Sequence, residues 1–235
     1  MSANGRYIAF DSYDTNLVAG DTNAAIDVFV RDRQTTTTTR VSLYDNDTQA
    51  PKGGSMPSMD DSGTKIAFTA SDKLNAIDPN STSDVFVRDT VAGATTVGSV
   101  AANGWAAGES SDAAISGDGS TVAFASRLAV SDGITNDTMH LYLRRAGTTT
   151  RETIRTDGLI VAGDSYGPSL SSNGQVLAFH SDAVSLVPGD SGMQDVFFRR
   201  WVGVGPFGDE TAFVQRQLFD FVGDASPGQV TAPKA

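Results

Sequence analysis

Residues 21–32 read DTNAAIDVFVRD, and residues 78–89 read DPNSTSDVFVRD. The same strand-like hydrophobic run follows a loop that carries acidic and amide side chains at the same offsets. Such self-similarity at a fixed period is the signature of a repeat architecture. Two landmarks keep that period. The segments RYIAF, KIAF, TVAF and VLAF end at Phe10, Phe68, Phe124 and Phe179, at intervals of 58, 56 and 55 residues. The segments DVFVRD, DVFVRD, HLYLRR and DVFFRR carry Phe29, Phe86, Tyr142 and Phe197, at intervals of 57, 56 and 55.

Five residues before each landmark Phe stands Gly5, Gly63, Gly119 or Gly174, preceded by Asn4, Ser62, Asp118 or Asn173. Asn-Gly and Asp-Gly favour the positive φ angles of a two-residue hairpin turn, so each unit is expected to begin strand, tight turn, strand. The IAF and VFV runs are almost uninterrupted in apolar residues, as in strands covered on both faces. Thr-rich segments such as TTTTTRVSL suit a solvated outer strand. Each unit therefore reads as four strands. Four-stranded sheets repeated about an axis make an all-β propeller. The units run over 1–55, 56–111, 112–166 and 167–224, with 225–235 as a candidate closing strand beside RYIAF. A closed ring of four blades is the first expectation. A section of a larger ring, or a half-ring completed as a homodimer, are the alternatives.

PSLSSNGQVLAF (168–179) and AAISGDGSTVAF (113–124) resemble the TolB-type, WD40-like propeller repeat. NLVAGDTNAAIDVFVRD (16–32) resembles the version found in many bacterial secreted and cell-surface proteins. The resemblance covers residues 1–200 and continues weakly in TAFVQRQLF. It implies an extracellular or periplasmic location, and a non-catalytic module that binds a protein or glycan. Departures are His140 where other units carry Asp, a lengthened last turn (WVGVGPFGDE), and the number of units itself.

The formal charge of −11 and pI near 4.4 oppose binding to a phosphate backbone, so nucleic acid is an unfavourable partner. The chain has no cysteine and no membrane-spanning apolar run. Function is sought in the long loops, because the intrablade loop and the interblade linker emerge on one face. That face offers Tyr13, Tyr44, Trp105 and Tyr166 as stacking surfaces for a ligand. It also offers Asp21, Asn23 and Asp27, repeated as Asp78, Asn80 and Asp84, with Asp190 and Asp195 in unit four. Unit three has only Asp132, Asn136 and Asp137 before His140. Carboxylate and amide oxygens are ligands for a hard cation such as Ca²⁺, but Asp and Asn before a strand also make Asx turns.

Two motifs bear on catalysis. GDSYG (163–167) fits GxSxG, which requires a strand-to-helix elbow, and no helix is expected after it. GDSG (189–192) is a variant of the repeated loop. Neither context supports Ser165 or Ser191 as a nucleophile. A glycoside hydrolase or lyase using acidic residues near the axis, with Glu109 standing apart from the repeat, is one alternative. An accessory propeller of a larger secreted protein or peptidase is the other.

Overall fold

The computed structural model describes residues 1–127, 138–155, 158–187, 194–202 and 211–217, with Val202 and 211–217 described as backbone. Fifteen strands occur among them. The first sheet holds β1 (Tyr7–Ser12), β2 (Asp27–Asp32) and β3 (Thr37–Arg40). The second holds β4 (Ser55–Met59), β5 (Lys65–Ala70), β6 (Asp84–Asp89) and β7 (Ala94–Val97). The third holds β8 (Ser110–Ile115), β9 (Thr121–Ser126), β10 (His140–Arg145) and β11 (Thr148–Arg151). The fourth holds β12 (Ser165–Leu170), β13 (Val176–Ser181), β14 (Asp195–Val202) and β15 (Thr211–Gln217). Within each sheet the strands are antiparallel and in chain order, so the chain is an all-β propeller of meandering blades.

The two sequence landmarks prove to be one structural device. Phe10 lies opposite Phe29, Phe68 opposite Phe86, Phe124 opposite Tyr142, and Phe179 opposite Phe197. Their rings stand 5.7, 6.2, 5.7 and 5.7 Å apart. A directly opposed aromatic pair fixes the register, since a one-residue slip would turn every side chain to the other face. The apolar core lies between successive blades. One cluster joins Val28 and Val41 of blade 1 to Ile66 and Phe68 of blade 2. A second joins Ala67 and Val85 to Phe124 and Tyr142, and a third joins Leu141 and Leu143 to Leu177 and Phe197.

The glycines have the expected positive φ, from 66° to 78°. The turns around them are longer than the two-residue hairpins predicted. Gly63 N–H donates to the Asp60 carbonyl and Asp60 N–H to that of Lys65, while Ser62 keeps an ordinary φ. The side chain of Asp60 accepts the N–H groups of Thr64 and Lys65, which a two-residue turn would not expose. These short turns also tie blades together, through Ala3 N–H to Asp61 C=O, Asp61 N–H to Gly117 C=O and Asp118 N–H to Ser172 C=O. The proposed closing segment 225–235 lies outside the described residues.

β5 and β9 are covered on both faces, as expected. β13 is not. Its Leu177, Phe179 and Ser181 are buried, whereas Val176, Ala178 and His180 are half-buried. The long loops share one end of the sheets: Gly54 N–H donates to Ile26 C=O, Ser110 N–H to Ser83 C=O and Ser165 N–H to Met139 C=O. Each linker therefore seals against the intrablade loop of the blade it leaves.

Candidate functional site

On this face the strand that carries the second aromatic landmark of each blade, β2, β6, β10 or β14, opens on a buried polar residue. Asp27 Oδ1 accepts from Ser42 Oγ at 2.5 Å, and Asp27 Oδ2 from Asn23 Nδ2 at 2.9 Å. The same hydroxyl accepts Val28 N–H at 3.1 Å. Blade 2 repeats this, with Ser99 Oγ to Asp84 Oδ1 at 2.8 Å, Asn80 Nδ2 to Asp84 Oδ2 at 3.1 Å and Val85 N–H to Ser99 Oγ at 2.9 Å. In blade 3 His140 takes the aspartate's place, its two ring nitrogens at 3.0 Å from Thr153 Oγ1 and 2.9 Å from Thr138 Oγ1. Asp195 is buried at the start of β14, and Asp190, Asp132, Asn136 and Asp137 lie outside the described residues.

The amide residues turn their oxygens to the loop. Asn23 Oδ1 accepts Ala25 N–H at 3.1 Å and Asn80 Oδ1 accepts Thr82 N–H at 2.9 Å, both Asx turns. Their NH₂ groups brace the strand-start carboxylates. Ser42 and Ser99, which spacing alone did not mark, each stand 15 residues after their aspartate, an offset that aligning units one and two exposes, whereas Thr153 stands 13 after His140.

The two aspartate pairs are completed differently. In blade 1 Arg40 Nη1 stands 3.2 Å from Asp21 Oδ1 and 3.6 Å from Asp27 Oδ2. Gln49 Nε2 donates to Asp21 Oδ1 at 3.0 Å. A guanidinium and an amide thus occupy the space between the carboxylates. In blade 2 the corresponding positions are Val97, which ends β7 as Arg40 ends β3, and Ala106, which bridges Val100 as Gln49 bridges Leu43. Asp78 is 4% exposed and Asp84 fully buried. Asp78 Oδ1 accepts Asn80 N–H at 3.1 Å, but Oδ2 is buried with no hydrogen-bond partner.

Burial first, and then the charge of Asp84, pushes the Asp78 carboxyl up to about 6, against the Asn80 N–H and Lys73. Burial also raises Asp84, offset by the Gly108 N–H, Ser99 and Asn80. Asp78 borders a groove of about 440 Å³ lined by Tyr44, Asp45, Asn46, Lys73 and Leu74. Among the described residues, no three Asp, Glu or His side chains converge as a metal cluster.

The four aromatic candidates divide into two exposed and two braced. Tyr13 is 71% exposed beside a cleft of about 320 Å³ between blades 1 and 2, lined by Ala25, Ile26, Lys52, Ser55 and Thr69. Trp105 is 48% exposed at a linker tip. Tyr44 packs against the core between blades 1 and 2, and burial, then Asp72, raises its phenol. Tyr166 donates to Asp164 Oδ2 at 2.8 Å and its ring lies 5.8 Å from that of His180. The hydrogen bond to Asp164, then burial, raises its phenol.

Ser165 is buried at the start of β12, with its hydroxyl 2.8 Å from that of Ser181. It opens a strand instead of a helix, so the nucleophile-elbow context is missing. Ser191 lies outside the described residues.

With this architecture the molecule is a β-propeller of TolB-like fold. The sequence matches no protein-family model and no curated protein. In structure the chain is similar to TolB from Acinetobacter baumannii, with a TM-score of 0.50 and 15% identity over 90% of this chain and 41% of that one. It is also similar to the tricorn protease, with a TM-score of 0.52 and 12% identity over 87% of this chain and 18% of that one. The chain spans well under two thirds of either protein. At these identities the likeness establishes the fold, and function rests on the site.

Proposed function

We propose that this propeller is a non-catalytic binding module that presents its long-loop face to a protein or glycan outside the cytoplasm. The observation that carries the reading is the exposure of Tyr13 over the cleft between blades 1 and 2, with Trp105 exposed on the linker from blade 2 to blade 3. Exposed aromatic rings on the loop face suit stacking on a sugar ring or a peptide side chain. Lys52, Ser55 and Thr69 supply hydrogen-bonding groups around the Tyr13 cleft. Tyr44 and Tyr166 serve the scaffold.

A second reading is an accessory propeller within a larger protein. It is favoured by the likeness to the tricorn protease, of which this chain spans 18%. Screening the chain against glycan and peptide arrays, beside Tyr13→Ala and Trp105→Ala variants, tests the first reading. Ligands lost with either ring support it. Hydrolysis of a glycoside substrate by the purified chain would replace it with the glycosidase alternative.

A further inference from the structure

We propose that blade 2 binds a small hard metal cation, a divalent ion such as Ca²⁺, between the carboxylates of Asp78 and Asp84. The site concerns the stability of the loop face and stands independently of the partner that face binds.

Three observations lead to it. The two carboxylates are held at one place by Asn80, whose backbone N–H donates to Asp78 and whose side-chain NH₂ donates to Asp84, each at 3.1 Å. Asp78 Oδ2 is buried without a hydrogen-bond partner, a costly state for a charged oxygen unless a cation completes it. It lies beside a groove that reaches solvent and whose lining includes Asp45 and Asn46.

The third observation comes from the chain itself. At the same place in blade 1, Arg40 stands between Asp21 and Asp27. Blade 1 therefore sets a positive charge between this pair of aspartates, held by charge proximity, since Arg40 Nε and Nη1 make no hydrogen bond. Blade 2 keeps both aspartates and the asparagine but carries Val97 and Ala106 in place of Arg40 and Gln49. A doubly charged ion balances both carboxylates, and water entering through the groove supplies the oxygens that the Gln49 amide does not. Lys73, on the groove, directs its amine to the Pro79 carbonyl at 2.8 Å.

The test uses the metal-stripped chain at about pH 8, where carboxylates are ionised, in thermal melts and calorimetric titrations with CaCl₂, with MgCl₂, and with NaCl as the ionic-strength control. Calcium at roughly 100-fold excess over its Kd is expected to raise Tm by about 5–10 °C. Asp78→Asn should abolish the shift. Asp21→Asn, the same change in blade 1, should leave it intact. The paired change Val97→Arg with Ala106→Gln, which copies blade 1 into blade 2, should stabilise the ion-free chain and remove its response. Should that pair fail to fold, the two Asp→Asn variants, nearly isosteric with the native residue, still decide the question. The proposal is overturned if neither Ca²⁺ nor Mg²⁺ moves Tm or gives binding heat. It is equally overturned if the shift survives Asp78→Asn, or if free arginine stabilises the chain and divalent ions do not.

Discussion

The loops of blades 1 and 2 descend from one pattern, yet they solve one electrostatic problem in two ways. Both place two buried aspartates and an asparagine at the head of a VFVRD strand. In blade 1 the sequence also supplies the counter-charge, from Arg40 at the end of β3, with Gln49 reaching in from the linker. In blade 2 those two contributors are Val97 and Ala106, and one carboxylate oxygen is left without a hydrogen bond. The Asx turn and the serine brace are common to both, so they belong to the blade. The counter-charge varies: blade 1 carries its own in Arg40, and blade 2 has no side chain at that place to supply one.

The largest expected effect comes from making blade 1 like blade 2. Arg40→Val leaves Asp21 and Asp27 buried without their cation and should cost about 3–5 kcal/mol, read from denaturant midpoints. A loss below about 1 kcal/mol, the scale of a solvent-screened surface pair, would show that the guanidinium is not the counter-ion and would break the comparison. Next come parallel Asp→Asn changes in ion-free buffer. Asp21→Asn weakens the partner of Arg40 and should cost about 2 kcal/mol. Asp78→Asn removes an uncompensated buried charge and should gain about 1 kcal/mol. One substitution with opposite signs at matched positions is the sharpest form of the contrast, and equal signs would end it.

How far this was readable in the sequence follows from what each feature depends on. The aromatic pairs were legible as evenly spaced landmarks, because the blade needs one on each central strand, although their direct opposition emerges only in the register. The turn glycines were legible as positive-φ positions. The turn length was not, since it depends on which carbonyl and side chain collect the N–H groups. The loop aspartates were visible, but their partners were hidden. Arg40 and Gln49 belong to a different strand and a different linker, and chain spacing alone cannot bring them to Asp21. The signal lay in the repeat itself, as TTTR at 37–40 and 148–151 against ATTV at 94–97. The four aromatic candidates differ in exposure, Tyr13 and Trp105 standing out while Tyr44 and Tyr166 are braced, because loop position does not determine exposure.

The contrast extends to the other end of the VFVRD strand, with a smaller effect. Asp32 receives Arg6 Nε at 2.9 Å and Nη2 at 2.6 Å, whereas Asp89, at the same repeat position, accepts the N–H groups of Val91 and Ala92. The bonds from Arg6, then those from Gln34 and Thr35 N–H, outweigh the cost of burial and hold the Asp32 carboxyl well below the usual carboxylate range. A depressed folded-state pKa means that the native state binds fewer protons than the unfolded chain. The contribution is therefore present above about pH 4, the unfolded value, and is lost as pH falls further. Denaturation of wild type and Arg6→Gln should diverge near neutrality and converge toward about pH 2. A gap that stays constant across that range would mean that Arg6 acts through packing alone.

The smallest effect on stability is expected at the two exposed rings. Tyr13 and Trp105 project from the face that Tyr44 and Tyr166 brace, so Tyr13→Ala and Trp105→Ala should each change stability by no more than about 0.5 kcal/mol. Tyr166→Phe removes the hydrogen bond to Asp164 and should cost about 1 kcal/mol. Binding should rank in the opposite order, with ligand affinity falling by about tenfold or more at an exposed ring that acts as a contact anchor and hardly changing at Tyr166. If loss of Tyr13 or Trp105 destabilised the chain as much as loss of the Tyr166 hydroxyl, those rings would be structural caps. The recognition surface would then have to be sought elsewhere on the loop face.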